Sequence, residues 1–468
     1  MARYQSWGCY PKIQHQEIQP LFWAHESPPF ESWEHSILPH GYGRSYGDSC
    51  LNEGGILLDT ISLNRLLSFD PSTGILQCES GVSLHEILKI IVPHGWFLPV
   101  TPGTQFVSIG GAIANDVHGK NHHRAGTFGC HVNGFEILRS NRTRMYCSQT
   151  HNTEWFRATI GGLGLTGVIL WAEIQLQPIS SPWIIAERLK FSNLEEFFVL
   201  SSHSEEDFEY TVAWIDCFAP EKNLGRGIFI RGNHGNAQSS PPHAPKSRKS
   251  LQVPFDFPSF FLNPVTLKFF NTLYYHAIPR SSGLNNESYE QFFYPLDSIL
   301  DWNRLYGSCG FLQYQCVMPP EHQKEGIHAL LTRIKQSGQG SFLAVLKQFG
   351  ALSSPGLLSF PRPGTTLALD FAFRGPRTLD LLNSLDEIVQ EYGGAVYPAK
   401  DARMSASHFQ RFFPQWENLI QFLDPKFSSS FWRRVTTATG PHCLTGKKHE
   451  MHSNSLSESD KTLMSVSS

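Results

Sequence analysis

The sequence predicts an α+β protein, and two observations lead to that prediction. Between residues 192 and 392, strand patterns outnumber helical ones, which is typical of a sheet with helices on one face. Before residue 180, short strand and helix patterns alternate around two glycine-rich loops. The pattern of predicted elements changes between Pro178 and Pro182, which predicts a domain boundary there. After Gly394 the sequence again predicts short mixed elements.

The first part of the chain is predicted to contain short elements. Ser83–Ile91 is the clearest helix, because Ser83 and Glu86 form a capping box and Gly95 lies beyond its end. Strands are predicted at Gly55–Asp59, Gly74–Glu79, His131–Leu138, Thr143–Cys147 and Val168–Leu176, and a short helix at Thr153–Ile160.

The second part begins with a helix that Ser192 and Glu195 are predicted to cap. Helical patterns follow at about Pro320–Gln336 and Arg377–Tyr392. Strands are predicted at Tyr210–Ile215, Gly227–Arg231, Phe311–Val317, Ser341–Phe349 and Thr365–Phe373. Residues 232–250 and the tail 444–468 are polar and rich in Ser, so a flexible segment and a disordered tail are expected.

Composition excludes several classes of protein. A chain of 468 residues with formal net charge −3 is long enough for two or more domains and lacks the basic patch that nucleic acid requires. Nine cysteines without a C-x-x-C pair favour reduced thiols in a cytoplasmic protein. No apolar run approaches the ~18 residues of a membrane span, and the N-terminus lacks a signal-peptide pattern.

The segment Pro102–Gly129 is the most informative motif. It holds six glycines and three histidines in 28 residues, so neither a helix nor a strand is expected. Glycine lets the main chain approach a ligand closely, and successive free N–H groups form an anion site. We therefore predict a loop around a phosphate-bearing molecule, with His118 and Lys120 beside it.

Two further glycine motifs bear on the same ligand. Gly41–Asp48 is either an ordinary surface turn or a second loop that offers N–H groups to a pyrophosphate. Gly162–Gly167 matches G-x-G-x-x-G, but a helix precedes it and a strand follows it, which argues against a nicotinamide Rossmann site. No P-loop motif is present.

Other polar and aromatic residues leave alternatives open. His118, His122 and His123 lack the spacing of a zinc site, so no metal is expected. Gln313 and Gln315 share a strand face that either lines a cavity for a polyhydroxylated substrate or is an exposed sheet face. Val253–His276 carries eight Phe and Tyr residues and is either core or an apolar flap over a lipid-bearing substrate or a membrane.

The motifs, taken in order, resemble FAD-linked oxidases of the vanillyl-alcohol-oxidase type, which carry a PCMH-type FAD-binding domain. The order and sequence of these motifs are most similar to those of the decaprenylphosphoryl-β-D-ribose 2′-oxidase group. The resemblance covers roughly residues 40–435 and rests on GRSYGD, PGT…GGAIANDVHGKNHHRAGTFG, WFRATIGGLGLTG, YTVAWID, GFLQYQCVMP, VLKQFG and YPAKDAR. One departure is Ala368, where the similar oxidase has a cysteine.

The resemblance implies a two-lobed FAD-binding domain at residues 1–180, completed by 395–440, and a substrate domain with an antiparallel sheet at 181–394. It implies FAD contacts by Gly41, Gly43, Arg44, Ser45, Tyr46, Gly47, Asp48, Gly103, Ser108, Ile109, Gly110, Gly111, Asn115, Asp116, Val117, His118, Val168 and Tyr397. Some relatives tether the flavin through a histidine in the first glycine loop. Here that loop carries Tyr46 and no histidine, so non-covalent FAD is expected.

For the reaction, the resemblance implies oxidation of a sugar secondary alcohol to a ketone, with Lys400, Tyr46 and His118 as catalytic residues. The substrate would be a polyprenylphosphoryl-pentose or a similar glycosyl lipid. The implied substrate contacts are Lys120, Trp214, Tyr294, Gln313, Gln315 and Lys347.

The resemblance further implies a short-chain reductase partner that completes an epimerisation. A cytoplasmic location is expected, with or without peripheral contact at the inner face of the membrane. Two alternatives remain open at this point: an aldonolactone or alditol oxidase acting on a soluble sugar, and a flavin-binding protein without turnover.

Overall fold

The computed structural model describes residues 4–236, 251–258 and 261–436. The strands are β1 Glu17–Pro20, β2 Ile37–His40, β3 Ile56–Asp59, β4 Leu66–Asp70, β5 Ile75–Glu79, β6 Trp96–Phe97, β7 Val132–Leu138, β8 Arg144–Ser148, β9 Val168–Gln175, β10 Gln177–Pro178, β11 Trp183–Phe191, β12 Tyr210–Ile215, β13 Gly227–His234, β14 Leu251–Gln252, β15 Asn285–Ser288, β16 Ile299–Leu300, β17 Phe311–Met318, β18 Ala344–Phe349, β19 Gly364–Ala372 and β20 Ala395–Val396. The α-helices are α1 Leu84–Ile91, α2 Ile109–Ala114, α3 His122–Ala125, α4 Thr153–Thr159, α5 Leu194–Ser204, α6 Pro264–Ala277, α7 Tyr289–Phe293, α8 Gln323–Ser337, α9 Pro376–Glu391, α10 Ala406–Phe412, α11 Trp416–Ile420 and α12 Ser430–Thr436.

Three sheets of three or more strands organise the chain. A parallel sheet has the order β1-β3-β2, and an antiparallel sheet has the order β4-β5-β9-β7-β8. The largest sheet is antiparallel with the order β15-β11-β13-β12-β18-β19-β17-β20. Helices α8 and α9 pack on this sheet through buried leucines such as Leu331 and Leu385. The mixture of helix and sheet confirms the α+β class.

Local sequence explains several helix ends. The Ser83 hydroxyl accepts from the Glu86 N–H at 3.2 Å and the Glu86 carboxylate accepts from the Ser83 N–H at 2.9 Å, which confirms the capping box of α1. The predicted cap of α5 is wrong by one residue. Asn193, an equally good cap, accepts from the Glu196 N–H at 3.0 Å, and the Ser192 N–H donates to the Glu196 side chain.

The segment Pro102–Gly129 is not the helix-free loop that its composition predicts, because it contains the short helices α2 and α3. Ser108 caps α2 by accepting from the Gly111 N–H at 3.2 Å. The Gly110 N–H donates to the Ser80 carbonyl at 2.8 Å. A Cβ on Gly110 would lie only 3.0 Å from Ser80 Cβ. Tertiary contact therefore stabilises a helix that glycine disfavours in isolation.

The C-terminal helix α12 is tied to the first glycine loop. Arg434 donates to both carboxylate oxygens of Asp48, at 2.9 and 2.7 Å, and to Asp401 at 2.8 Å. A Cβ on Gly47 would overlap the carbonyl oxygen of Asp401, so the loop and the 401 region are in backbone contact. One guanidinium thus joins residues that are 386 positions apart.

We expect Arg434→Met to destabilise the fold, because it removes the guanidinium that donates to the buried carboxylates of Asp48 and Asp401. Losing one partner of a buried ion pair costs about 3–5 kcal/mol. Urea unfolding of wild type and variant measures the difference. Arg433→Met is the matched control, since Arg433, the preceding residue of α12, donates to the Asn52 side-chain oxygen and to the Glu53 carbonyl. An equal, small loss of unfolding free energy in both variants would contradict a stabilising role for the contact of Arg434 with Asp48 and Asp401.

Candidate active site

A single cavity of about 820 Å³ lies between the two glycine loops and the eight-stranded sheet. The loops after β2 and before α2 form one wall, and strands β12, β17, β18 and β19 form the other. Sequence-predicted residues that line it are Gly41, Gly43, Arg44, Ser45, Tyr46, Gly103, Ser108, Gly110, Gly111, Asn115, Val117, His118, Lys120, Trp214, Gln313, Gln315, Lys347, Tyr397 and Lys400. The structure therefore brings most of the predicted site together.

The glycine-lined part of the cavity offers donors without acceptors. Among the described residues, Arg44 Nε and Ser80 Oγ are buried and have no hydrogen-bond partner. A Cβ on Gly103 would meet no atom within 4 Å, so only cavity space faces this backbone. Unused donors beside bare backbone fit a phosphate-bearing group, and a cavity this large accommodates a dinucleotide.

Arg44 is held by aromatic rings. Its guanidinium carbon lies 4.1 Å from the ring centre of Trp7 and 5.6 Å from that of Phe106. Burial lowers the pKa of Arg44, and the carboxylate of Asp297 opposes that shift. The side chain stays cationic, because arginine starts far above neutral pH. The cavity wall thus carries a fixed positive charge.

Lys400 and Tyr46 meet where the first glycine loop approaches the eight-stranded sheet. The short helical turn at 398–400 places Lys400 Nζ 4.1 Å from the ring centre of Tyr46. The same amine donates to the side-chain oxygen of Gln313. Burial lowers the pKa of Lys400 to about 8 and raises that of Tyr46 well above its ordinary value. Tyr46 is therefore a neutral donor, and Lys400 titrates near neutral pH.

His118 lies in a polar cluster with Gln315 and Lys347. Its Nε2 is 2.9 Å from Gln315 Nε2, and its Nδ1 is 3.2 Å from Lys347 Nζ. Burial, then the nearby Lys347, holds the pKa of His118 well below its ordinary value, so the ring is neutral at pH 7. Burial and Lys400 lower the pKa of Lys347 to about 7.

Lys120 and Trp214 complete the wall around this cluster. Lys120 Nζ donates to the Phe292 carbonyl and lies 4.4 Å from the Phe292 ring centre. Burial lowers the pKa of Lys120 to about 7. Trp214 Nε1 donates to the Phe342 carbonyl at 2.9 Å, which fixes the indole against the cavity.

Six predicted site residues lie outside the cavity lining and support its wall from behind. Asp48 is the partner of Arg434, and the Tyr294 hydroxyl bonds to Thr101 Oγ1 at 2.6 Å. Asp116 accepts from the Gly129 N–H at 2.8 Å and from Ser354 and Ser359. The remaining three are Gly47, which packs on Asp401, and the core residues Ile109 and Val168.

Asp370 is a cavity-lining carboxylate that the sequence reasoning missed. It is 1% exposed, lines the cavity and accepts from Gln313 Nε2 at 2.5 Å. A signal was present: along β19, Leu367, Leu369 and Phe371 belong to the core, so the alternate positions, including Ala368 and Asp370, share the other face. A carboxylate on that face is unusual enough to mark a site.

The other open questions have structural answers. Gln313 and Gln315 line the cavity rather than an exposed sheet face. The aromatic segment is not simple core, because Phe255, Phe261 and Phe269 are exposed.

Among the described residues, no group of three His, Cys, Asp or Glu side chains could hold a metal ion. No helix within the described ranges is long and apolar enough to cross a membrane. The tail 444–468 and most of 232–250 lie outside the described residues.

Comparison with known proteins gives a consistent result. Residues 31–148, which contain both glycine loops, match the FAD binding domain family. The chain is 37% identical over 415 residues to decaprenylphosphoryl-beta-D-ribose oxidase of Mycolicibacterium smegmatis, covering 85% of this chain and 89% of that protein. It is 30% identical over 374 residues to the "uncharacterized protein in mprA 5'region" of Streptomyces coelicolor, covering 76% of this chain and 100% of that protein. Cytokinin dehydrogenase 9 of Oryza sativa subsp. japonica is 29% identical over 196 residues, 39% of this chain and 36% of that protein.

The FAD-binding domain and the cavity beside it define an FAD-dependent oxidoreductase. More narrowly, the chain belongs to the family of FAD-linked oxidases that includes decaprenylphosphoryl-beta-D-ribose oxidase. FAD is its cofactor, and the unpaired donors at the glycine-lined wall fit that group.

We expect Gly103→Val to weaken FAD binding without unfolding the protein. A Cβ at Gly103 meets no protein atom within 4 Å, and the residue lines the cavity, so the added methyl groups would occupy space that we expect FAD to take. Overpacking costs roughly 1–3 kcal/mol, or about tenfold or more in Kd. Flavin fluorescence quenching on titration of the stripped protein measures Kd, and Gly103→Ala should give an intermediate value. Unchanged Kd in both variants would place FAD away from this wall.

Proposed function

We propose that the protein oxidises a secondary alcohol of a sugar carried on a polyprenyl phosphate, with the 2′-hydroxyl of a polyprenylphosphoryl-pentose as the reacting group. The observation that carries the proposal is the FAD-family cavity whose substrate wall combines amide, lysine and apolar side chains. The relative named as a decaprenylphosphoryl-beta-D-ribose oxidase, matched over 85% of the chain, supports this substrate class.

FAD supplies the acceptor for the carbinol hydride, and the chain's own residues handle the hydroxyl. Lys400 Nζ lies 4.1 Å from the ring centre of Tyr46, so the amine and the phenol belong to one part of the cavity wall. A sugar hydroxyl lying against that part of the wall would hydrogen-bond to both groups. Gln313 and Gln315 offer amides to the neighbouring hydroxyls. Neutral His118 lies beside Gln315 and orients the Gln315 amide in the substrate wall. With no histidine in the first glycine loop, FAD is held non-covalently.

The buried cations favour an anionic substrate. Lys120 and Lys347 have pKa values lowered to about 7 mainly by burial, and at Lys120 the charge of Glu287 opposes only part of that effect. A phosphodiester close to them would stabilise the ammonium forms. A neutral alditol or aldonolactone offers no such compensation, which is why the soluble-sugar alternative ranks second.

An apolar surface next to the cavity favours a lipid carrier. Phe270 and Tyr274 of α6 line the cavity. Val265 and Phe269 on the same helix are 77% and 65% exposed. Asn271 fixes this helix to the sheet by donating to Asp216 and to the Ser341 carbonyl, each at 3.1 Å. We propose that this apolar helix face receives the polyprenyl chain and contacts the inner face of the membrane peripherally from the cytoplasm.

The ketone product defines a partner by its chemistry. Reduction of that ketone from the opposite face would complete an epimerisation, so a short-chain reductase is the proposed partner. The third reading, a flavin-binding protein without turnover, gains no support from a cavity that extends beyond the glycine loops to a wall of titratable residues.

Anaerobic mixing tests the proposal. A polyprenylphosphoryl-ribose should bleach the visible absorption of bound flavin, whereas free ribose, alditols and aldonolactones should not do so at the same concentration. Equal rates with a soluble sugar would favour the alditol-oxidase alternative. Flavin that no sugar alcohol reduces would favour the protein without turnover.

Lys400→Ala should keep bound flavin and lose turnover. Loss of a positioned proton acceptor slows a reaction by roughly 10²–10⁴-fold, and the substitution leaves Arg44 and the glycines of the cofactor wall in place. Steady-state kcat together with the flavin content per protein measures both quantities. Wild-type kcat would remove Lys400 from the site.

The double variant Val265→Glu, Phe269→Glu should raise KM for a long-chain substrate and spare a short-chain analogue. Placing charge on the face that receives the lipid costs about tenfold or more in affinity. Val199→Glu is the control, because Val199 is 52% exposed on helix α5 and does not line the cavity. A KM for the long-chain substrate that matches the control would refute the lipid path.

A further inference from the structure

Asp370 has no part in the function proposed above, although it is a buried carboxylate in the cavity wall. Its position on β19 places it opposite Gln313 of β17 in the sheet register. One carboxylate oxygen accepts from Gln313 Nε2 at 2.5 Å. The Ser341 hydroxyl accepts from the Asp370 backbone N–H at 3.1 Å and anchors the strand there.

The carboxylate determines which way the Gln313 amide points. In its ionised form the Asp370 carboxylate only accepts hydrogen bonds, and the amide nitrogen of Gln313 donates to it. The amide oxygen then faces the other way, and it accepts from Lys400 Nζ. Asp370, Gln313 and Lys400 thus form a directed chain that ends at the amine next to Tyr46.

The charges of Asp370 and Lys400 shift each other's pKa. Burial raises the pKa of Asp370 to about 7, against the Gln313 hydrogen bond, the Lys400 charge and the Tyr306 hydroxyl. Burial lowers the pKa of Lys400 to about 8, against the Asp370 charge. Lys347 and His118 lie on the cavity side, and Lys347 repels Lys400. The two groups titrate as a pair.

We propose that Asp370 is a positioning residue that, through Gln313 and its own charge, sets where the Lys400 amine lies and the pH range over which it takes the hydroxyl proton. This rests on the proposed alcohol oxidation at the same site. In that reaction the substrate C–H bond breaks and its hydrogen leaves with the electron pair to the flavin. The O–H bond breaks as well, its proton goes to the neutral Lys400 amine, and a C=O double bond results.

The sign of the pH effect follows from the charges. Lys400 must be neutral to accept a proton, so kcat/KM rises with pH through the pKa of Lys400. The Asp370 carboxylate stabilises the ammonium form and holds that pKa up. Asp370→Asn removes the charge and keeps the shape, so the pKa of Lys400 falls and the acid limb of the profile moves to lower pH.

The test is competitive acetylation of the flavin-loaded protein without substrate. Acetic anhydride labels only neutral amines, and peptide mass spectrometry gives the labelling midpoint of Lys400 over a pH series. We expect Asp370→Asn to lower that midpoint by about one unit, a tenfold change in the ionisation constant. Thr366→Val, a neutral change on the same strand, should leave it in place. An unmoved or higher midpoint in Asp370→Asn overturns the proposal.

Gln313→Met separates the two routes by which Asp370 acts. It removes the amide bridge and keeps the carboxylate, so the midpoint should move less than in Asp370→Asn while kcat falls. A midpoint that moves as far as in Asp370→Asn would contradict the role of the charge. Because the labelling needs no turnover, it reports on Asp370 even if no sugar alcohol proves to be a substrate.

Discussion

The contact of Arg434 with Asp48 and Asp401 is the interaction on which the site depends most. Asp48 ends the first glycine loop, and Asp401 directly follows Lys400, so one guanidinium fixes the cofactor loop and the reactive lysine together. Both carboxylates are buried, and their mutual repulsion is tolerable only with the cation in place. The backbone of Gly47 also lies close to that of Asp401, next to the Arg434 contact.

Burial of lysine side chains in the cavity wall brings their pKa values close to neutral pH. The amines of Lys120, Lys347 and Lys400 all titrate nearer neutral pH than lysine ordinarily does, because each is removed from water. Groups poised in this way can exchange protons near neutral pH. In the proposed oxidation they would have separate tasks: Lys400 would meet the hydroxyl beside Tyr46, and the other two would lie near the phosphate.

Sequence reasoning succeeded where the signal is local. Glycine-rich loops, the Ser83–Glu86 capping box and the alternation of β17 are all short-range patterns, and the structure contains each of them. Sequence reasoning failed where the cause is tertiary. Helix α2 depends on packing against Ser80, and the contact of Arg434 with Asp48 spans 386 residues. Only the pairing of β19 with β17 places Asp370 against Gln313, and the sequence does not show that pairing.

The central claim is that this cavity removes a hydride from a sugar carbinol carbon. The most direct measurement is stopped-flow anaerobic reduction of the bound flavin by a polyprenylphosphoryl-ribose with protium or deuterium at that carbon. Our account predicts bleaching that is several-fold slower with deuterium. Flavin that stays oxidised with both substrates, in a protein that holds FAD stoichiometrically, would contradict it.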